Sequence, residues 1–143
     1  MYTPLYNKTN YSLLSSLLTI DDLINLAKNK NLLSLGICDN NMFGTMEFIN
    51  KCTTSNIHPV IGLEMNITNT IILGFAKNYE GYQNLLKLST LMSKNPLTIN
   101  DLKTYQNNII FILPNAHVTT FNDFSIILND LYAGYDSKDS LNE

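Results

Sequence analysis

An α/β fold with mainly parallel strands is predicted for this 143-residue chain. Two observations predict it. Apolar runs of strand length alternate with stretches at helical spacing along the whole chain, and the segments between them carry Asn, Asp, Gly and Pro. That alternation is the signature of strands joined through helices, in either a doubly wound sheet or a barrel.

The elements follow in order. In "TIDDLINLAKNK" the apolar positions Ile20, Leu23, Ile24 and Ala27 share one helical face; Thr19 is placed to cap it, with two aspartates in the first turn. The run "LLSLGIC" is a strand closed by the turn residues Asp39, Asn40 and Asn41, after which "MFGTMEFINKCTTSN" returns to helical spacing. Proline near its start and β-branched residues after it make "IHPVIGLEMNI" a strand entered from a turn, and "TIILGFA" is another. "NYEGYQNLLKLSTLMSK" gathers Tyr82, Leu85, Leu86, Leu88 and Leu91 largely on one helical face. "NNIIFILP" is a buried strand closed by Pro114, and "TTFNDFSIILNDLYAG" is a helix capped by Thr120 or Asn122.

Length and composition favour one folded domain or part of one: 45% of residues are hydrophobic and the net charge is only -3. All nine basic residues are lysines. Without the bidentate guanidinium fork, and with an acidic balance, the chain is a poor candidate for gripping DNA by itself. Cys38 and Cys52 stand apart with no C-x-x-C pair, as expected of reduced thiols in the cytoplasm. No apolar run approaches the roughly 20 residues that span a bilayer, and "MYTPLYNK" lacks a signal-peptide pattern, so neither secretion nor membrane insertion is expected. Phosphate-loop, dinucleotide-loop and nucleophile-elbow motifs are all missing.

Three stretches, "NYSLLSSLLTIDDLINLAKNKNLLSLGICDNNMFGTMEF", "IHPVIGLEMNI" and "AKNYEGYQNLLKLSTL", resemble the N-terminal PHP (polymerase and histidinol phosphatase) region of bacterial DNA polymerase III alpha subunits. The last is the most specific, through A-K-N-x-x-G-Y-x-N-L-x-K-L-x-S. The resemblance covers residues 1 to about 115. It implies the first half of a distorted β/α barrel, a partial PHP domain over residues 1–135; the polar composition of residues 136–143 marks a frayed tail. The polymerase palm of such proteins lies far downstream, so a fragment or a truncated reading frame is expected.

The resemblance also implies a metal cluster of imidazoles and carboxylates, as zinc or manganese would require. Here the H-x-H positions are Tyr6 and Lys8, and a lysine ammonium repels a cation. Ser15 stands where an aspartate is expected, Cys38 for a second aspartate and Asp39 for a histidine. Glu64 matches a glutamate ligand, whereas Ile71 and Ala116, or their neighbours, replace a histidine and a cysteine. Cys38, Asp39 and Glu64 remain only as weak candidates for a single poor metal site.

Simpler roles carry more weight residue by residue. Cys38 at the end of an apolar strand is a small buried hydrophobe, Asp39 a turn residue, and His58 a surface side chain; His117 has no motif around it. Met42, Phe43, Met46 and Phe48 are expected in the core, and Gly81 and Tyr82 serve helix entry and packing. The first expectation is therefore a structural, non-catalytic PHP region with no catalytic residues and no metal or cofactor of its own. Its partners are the remainder of the polymerase alpha chain and replisome subunits, with DNA reached through the parent protein and magnesium serving the parent polymerase. The alternative is a zinc- or manganese-dependent phosphoesterase or 3'–5' exonuclease. An unrelated α/β binding module would make the A-K-N-x-x-G-Y match a coincidence.

Overall fold

The computed structural model describes residues 2–114 and 118–134. Its elements run α1 (Ile20–Asn29), β1 (Ser34–Asp39), α2 (Thr45–Thr54), β2 (His58–Ile67), β3 (Thr70–Ala76), α3 (Tyr79–Met92), α4 (Ile99–Tyr105), β4 (Ile109–Pro114), α5 (Val118–Ser125) and β5 (Leu131–Gly134). Two compact units divide between Leu63 and Glu64, within β2. Hydrogen-bonded strands follow chain order, β1-β2 in the first unit and β2-β3-β4-β5 in the second. The predicted tail, residues 136–143, lies outside the described residues.

In the first unit α1 starts on a capping box. Thr19 Oγ1 accepts from the Asp22 amide and the Asp22 carboxylate accepts from the Thr19 amide. Its buried face is the one the spacing predicts: Ile20, Leu23, Ile24 and Ala27. Both α1 and α2 end in Schellman motifs, with asparagine supplying the left-handed residue that glycine usually provides. Asn31 has φ 52° and Asn56 φ 56°. The Leu32 amide reaches Ala27 O, and the Ile57 amide reaches Cys52 O. β1 is buried from Leu35 to Asp39 and pairs in parallel with β2, Ser34 opposite His58 through Asp39 opposite Leu63. An N-terminal strap covers its other edge, the amides of Gly36 and Cys38 donating to Pro4 O and Asn7 O. Gly36 permits this approach, since a Cβ there would lie 2.7 Å from Leu5 O.

Along β2 the side chains alternate, Leu63, Met65 and Ile67 buried and Asn66 exposed. The second unit turns from β2 into β3 through Thr68 (φ 47°) and Asn69 (φ 66°), a two-residue hairpin with both central residues left-handed. β3 and β4 are antiparallel, β4 and β5 parallel. The expectation of mainly parallel strands is thus corrected to a mixed arrangement: a two-residue turn joins only antiparallel strands.

The C-terminal stretch also departs from expectation. α5 begins at Val118, ahead of both expected caps, and stops at Ser125. The chain turns at Asn129-Asp130 and pairs as β5. There the Asn129 amide donates to Gln106 Oε1, Asp130 O accepts from the Phe111 amide, and the Asp130 carboxylate pairs with Lys77. These long-range partners outweigh the helical spacing of "SIILNDLY". α4 was not foreseen, although its Thr98–Asp101 capping box is as clear as that of α1. Two core expectations are likewise corrected. Phe48 and Met42 are buried, but Phe43 and Met46 are 81% and 58% exposed, because α2 starts only at Thr45 and turns that face outward.

α3 is fixed at its start by Asn78, whose Oδ1 accepts from the Gly81 amide, and by the close approach of Gly81 to the loop before β4. A Cβ on Gly81 would lie 2.0 Å from Asn108 O. Gly81→Ala is therefore expected to destabilise the chain by about 1–3 kcal/mol, as overpacking against backbone does. A thermal melt of the variant beside the parent chain checks it, an unchanged midpoint refuting the contact.

Candidate functional site

β1 delivers Asp39 to the start of the turn Asn40–Gly44, and the strap delivers Tyr6 to Ser12 alongside. Asn41 organises the turn. Its Oδ1 accepts from the Phe43 amide at 3.0 Å, an Asx turn, and its Nδ2 donates to Tyr11 O at 2.8 Å. This replaces a side-chain cap on α2, whose N-cap Gly44 has none.

Asp39 is only 2% exposed, and it is the one buried acidic residue among the described residues. Its Oδ1 accepts from the Thr9 amide and from Ser12 Oγ, each at 2.7 Å, and its Oδ2 accepts from Thr9 Oγ1 at 2.6 Å. Such short contacts are those of hydrogen bonds to a charged acceptor. The hydroxyls are themselves oriented: Thr9 Oγ1 accepts from the Tyr11 amide, and Ser12 Oγ from the Asn40 amide, both at 3.2 Å.

Beyond this anchor the loop closes on itself. The Asn10 amide reaches Leu18 O at 2.8 Å and Ser16 Oγ donates to Lys8 O at 2.9 Å. Its tip carries Leu13, Leu14 and Leu17 in solvent, with Leu14 at φ 62°, an unusual conformation for a bulky residue. A second tie runs from the loop to the helices. Tyr11 Oη donates to Glu47 Oε2 at 2.7 Å, while Lys51 Nζ bridges Glu47 Oε1 at 2.7 Å and Asp21 Oδ1 at 2.8 Å. Hydrogen bonding to Lys51, then to Tyr11, draws the Glu47 carboxyl below its ordinary value. The same network raises Tyr11, chiefly through Glu47, and raises Lys51, chiefly through Asp21.

The sequence-derived positions fall as follows. Tyr6 is exposed and Lys8 half-buried, with the Lys8 ammonium 5.8 Å from the centre of the Tyr6 ring. Ser15 is exposed on the loop. Cys38 is fully buried on β1, and His58 is exposed at the start of β2. Cys52 is buried too, and burial pushes its thiol up to about 11. Glu64 is half-buried and Ile71 exposed, both in the second unit; Ala116 and His117 lie outside the described residues. Asp39 is brought together with Thr9 and Ser12, neither of which the motif comparison singled out.

Among the described residues no three or more His, Cys, Asp and Glu side chains are grouped so as to hold a metal ion. The donor chemistry around Asp39 does not suit one either. Its carboxylate is already engaged by three donors, the Thr9 amide and the hydroxyls of Thr9 and Ser12. No helix among the described residues is long and apolar enough to cross a membrane.

Glu47 carries a pH dependence. A depressed carboxyl contributes stability that is complete above its unfolded pKa, about 4.3, and is lost as pH falls through the lower folded value. The pair is partly exposed, its side chains 33% and 39% accessible, so screening keeps the contribution below about 1 kcal/mol. Melts between about pH 3 and 6 are expected to show a shallower acid loss for Glu47→Gln than for the parent chain; identical profiles would remove Glu47 from that limb.

The PHP domain family matches residues 4–130. DNA polymerase III subunit alpha of Ureaplasma parvum is 36% identical over 127 residues, 83% of this chain and 13% of that protein. The Streptococcus pyogenes protein of the same name is 31% identical over 141 residues, 95% of this chain and again 13% of the relative. That of Staphylococcus aureus is 36% identical over 114 residues, 73% of this chain and 10% of the relative. The chain thus spans about an eighth of the length of the first two relatives, and by its match over residues 4–130 it belongs to the PHP domain family.

Proposed function

We propose that this chain serves as the N-terminal PHP region of a replicative DNA polymerase alpha subunit, in a structural and non-catalytic role. Its partner is the remainder of such a polymerase chain, together with other replisome subunits, and it works in the cytoplasm without zinc or manganese of its own. DNA synthesis, and the magnesium it uses, belong to the parent polymerase. The chain's net charge of -3 and its lack of arginine suit a part that braces a protein rather than one that holds DNA.

The similarity to DNA polymerase III alpha subunits supports the polymerase half of this reading, and the match over residues 4–130 its PHP part. One observation carries the non-catalytic half: the Asp39 carboxylate, placed where the family's metal loop would present a ligand, is spent on Thr9 and Ser12. A phosphoesterase of this kind needs several ligands converging on a cation with positions left open for water and substrate. A committed carboxylate and an ammonium at position 8 work against both requirements.

Elemental analysis and calorimetric titration with zinc and manganese test the proposal, alongside hydrolysis of a chromogenic phosphodiester by a sample shown to be folded by circular dichroism. No stoichiometric metal and no hydrolysis above buffer are expected. Tight one-to-one uptake with hydrolysis that Glu64→Gln abolishes would overturn the proposal in favour of a working phosphoesterase.

A further inference from the structure

We infer that Thr9 and Ser12 form an oxyanion cradle whose resident anion is the chain's own Asp39 carboxylate. The inference stands on hydrogen-bond geometry and goes beyond the polymerase reading. Three donors converge from a four-residue stretch, the Thr9 amide and the hydroxyls of Thr9 and Ser12, at 2.6–2.7 Å from two carboxylate oxygens. Each hydroxyl has a single proton to give. Since each also accepts a backbone N–H, from Tyr11 and from Asn40 respectively, its proton is directed onto Asp39. The cradle is therefore built of donors only, and the group it suits accepts only.

Thr9, Ser12 and Asp39 are all buried, so the cradle is shielded from solvent. A neutral amide at position 39 fits badly. If its oxygen takes the place of Oδ1, its NH2 points at Thr9 Oγ1, whose proton already points back. Removing the side chain altogether leaves three aligned donors around a space the size of a carboxylate. The class of ligand such a space takes is a small planar carboxylate, formate before acetate. With the carboxylate in place the cradle is filled, and residues 9–12 are ordered without a cation.

Asp39→Gly tests this by chemical rescue in buffer containing a chelator, which keeps the result separate from any metal uptake and from the fate of the polymerase reading. The variant is expected to melt several degrees below the parent chain. Sodium formate at about ten times its dissociation constant is expected to raise that midpoint by about 3–6 °C relative to sodium chloride of equal ionic strength. The parent chain, and Asp39→Gly combined with Thr9→Val and Ser12→Ala, are expected not to respond. An equal rise in formate and chloride, or in the triple variant, would overturn the inference. Should Asp39→Gly not fold, Asp39→Asn decides. Its Thr9 amide is expected to exchange with deuterium at least tenfold faster than in the parent chain, with no help from formate, whereas parent-like protection would refute the cradle.

Discussion

The first unit depends on one buried carboxylate. Removing a carboxylate from water costs several kcal/mol unless hydrogen bonds replace its hydration, and Asp39 obtains all of its replacements from Thr9 and Ser12. Bonds to a charged acceptor are worth about 1.5–3 kcal/mol each, more than neutral ones. The consequence is positional. Thr9 and Ser12 are drawn onto the end of β1, so the strap that precedes them is held against the β1 edge and the loop that follows must close over Leu18. Tyr11, between the two hydroxyls, is then placed to reach Glu47 and to receive Asn41. Loop, turn and helix start share one anchor.

In the second unit the comparable task is done without a buried charge. Asn78 caps α3 through the Gly81 amide, and Asn84, buried on the same helix, donates to Asn107 O at 3.0 Å. Together they seat α3 against the loop before β4, where Gly81 allows backbone to meet backbone. An amide side chain can satisfy a carbonyl and an N–H with no desolvation of charge, which makes it the less costly device wherever partners of both kinds are at hand. Asp39 meets donors alone, and for that setting an acceptor-only group is the better match.

Much of this was legible from local pattern. The capping signal at Thr19, the apolar stripe of α1, the strand from Thr70 to Ala76 and the buried Cys38 all rest on interactions within a few residues or on simple alternation. What failed to show was long-range or depended on where a helix begins. Phe43 read as core because the helical period was extended back through Gly44, which lies outside α2, and Met46 lies off the buried face of α2, which is that of Thr45, Phe48 and Cys52. The strand β5 was hidden because its ties to Phe111, Gln106 and Lys77 span roughly twenty to fifty residues. Asp39 was read as a turn residue for the same reason: its partners, Ser12 and Thr9, lie 27 and 30 positions away. The one available signal was chemical. A threonine and a serine three apart, before an exposed leucine loop, supply hydroxyls that an acidic strand end can use.

The difference between holding such a loop with a metal and holding it with a carboxylate is one of convergence. A cation needs imidazoles and carboxylates brought together from several separate segments, and it fails when a few of them are missing. A buried carboxylate needs only donors, and two hydroxyls with one amide from four consecutive residues suffice. Lys8, immediately before Thr9, lies near the face of Tyr6. In this chain the hydrogen bonds that Thr9 and Ser12 give to Asp39 join the strap and its loop to the end of β1.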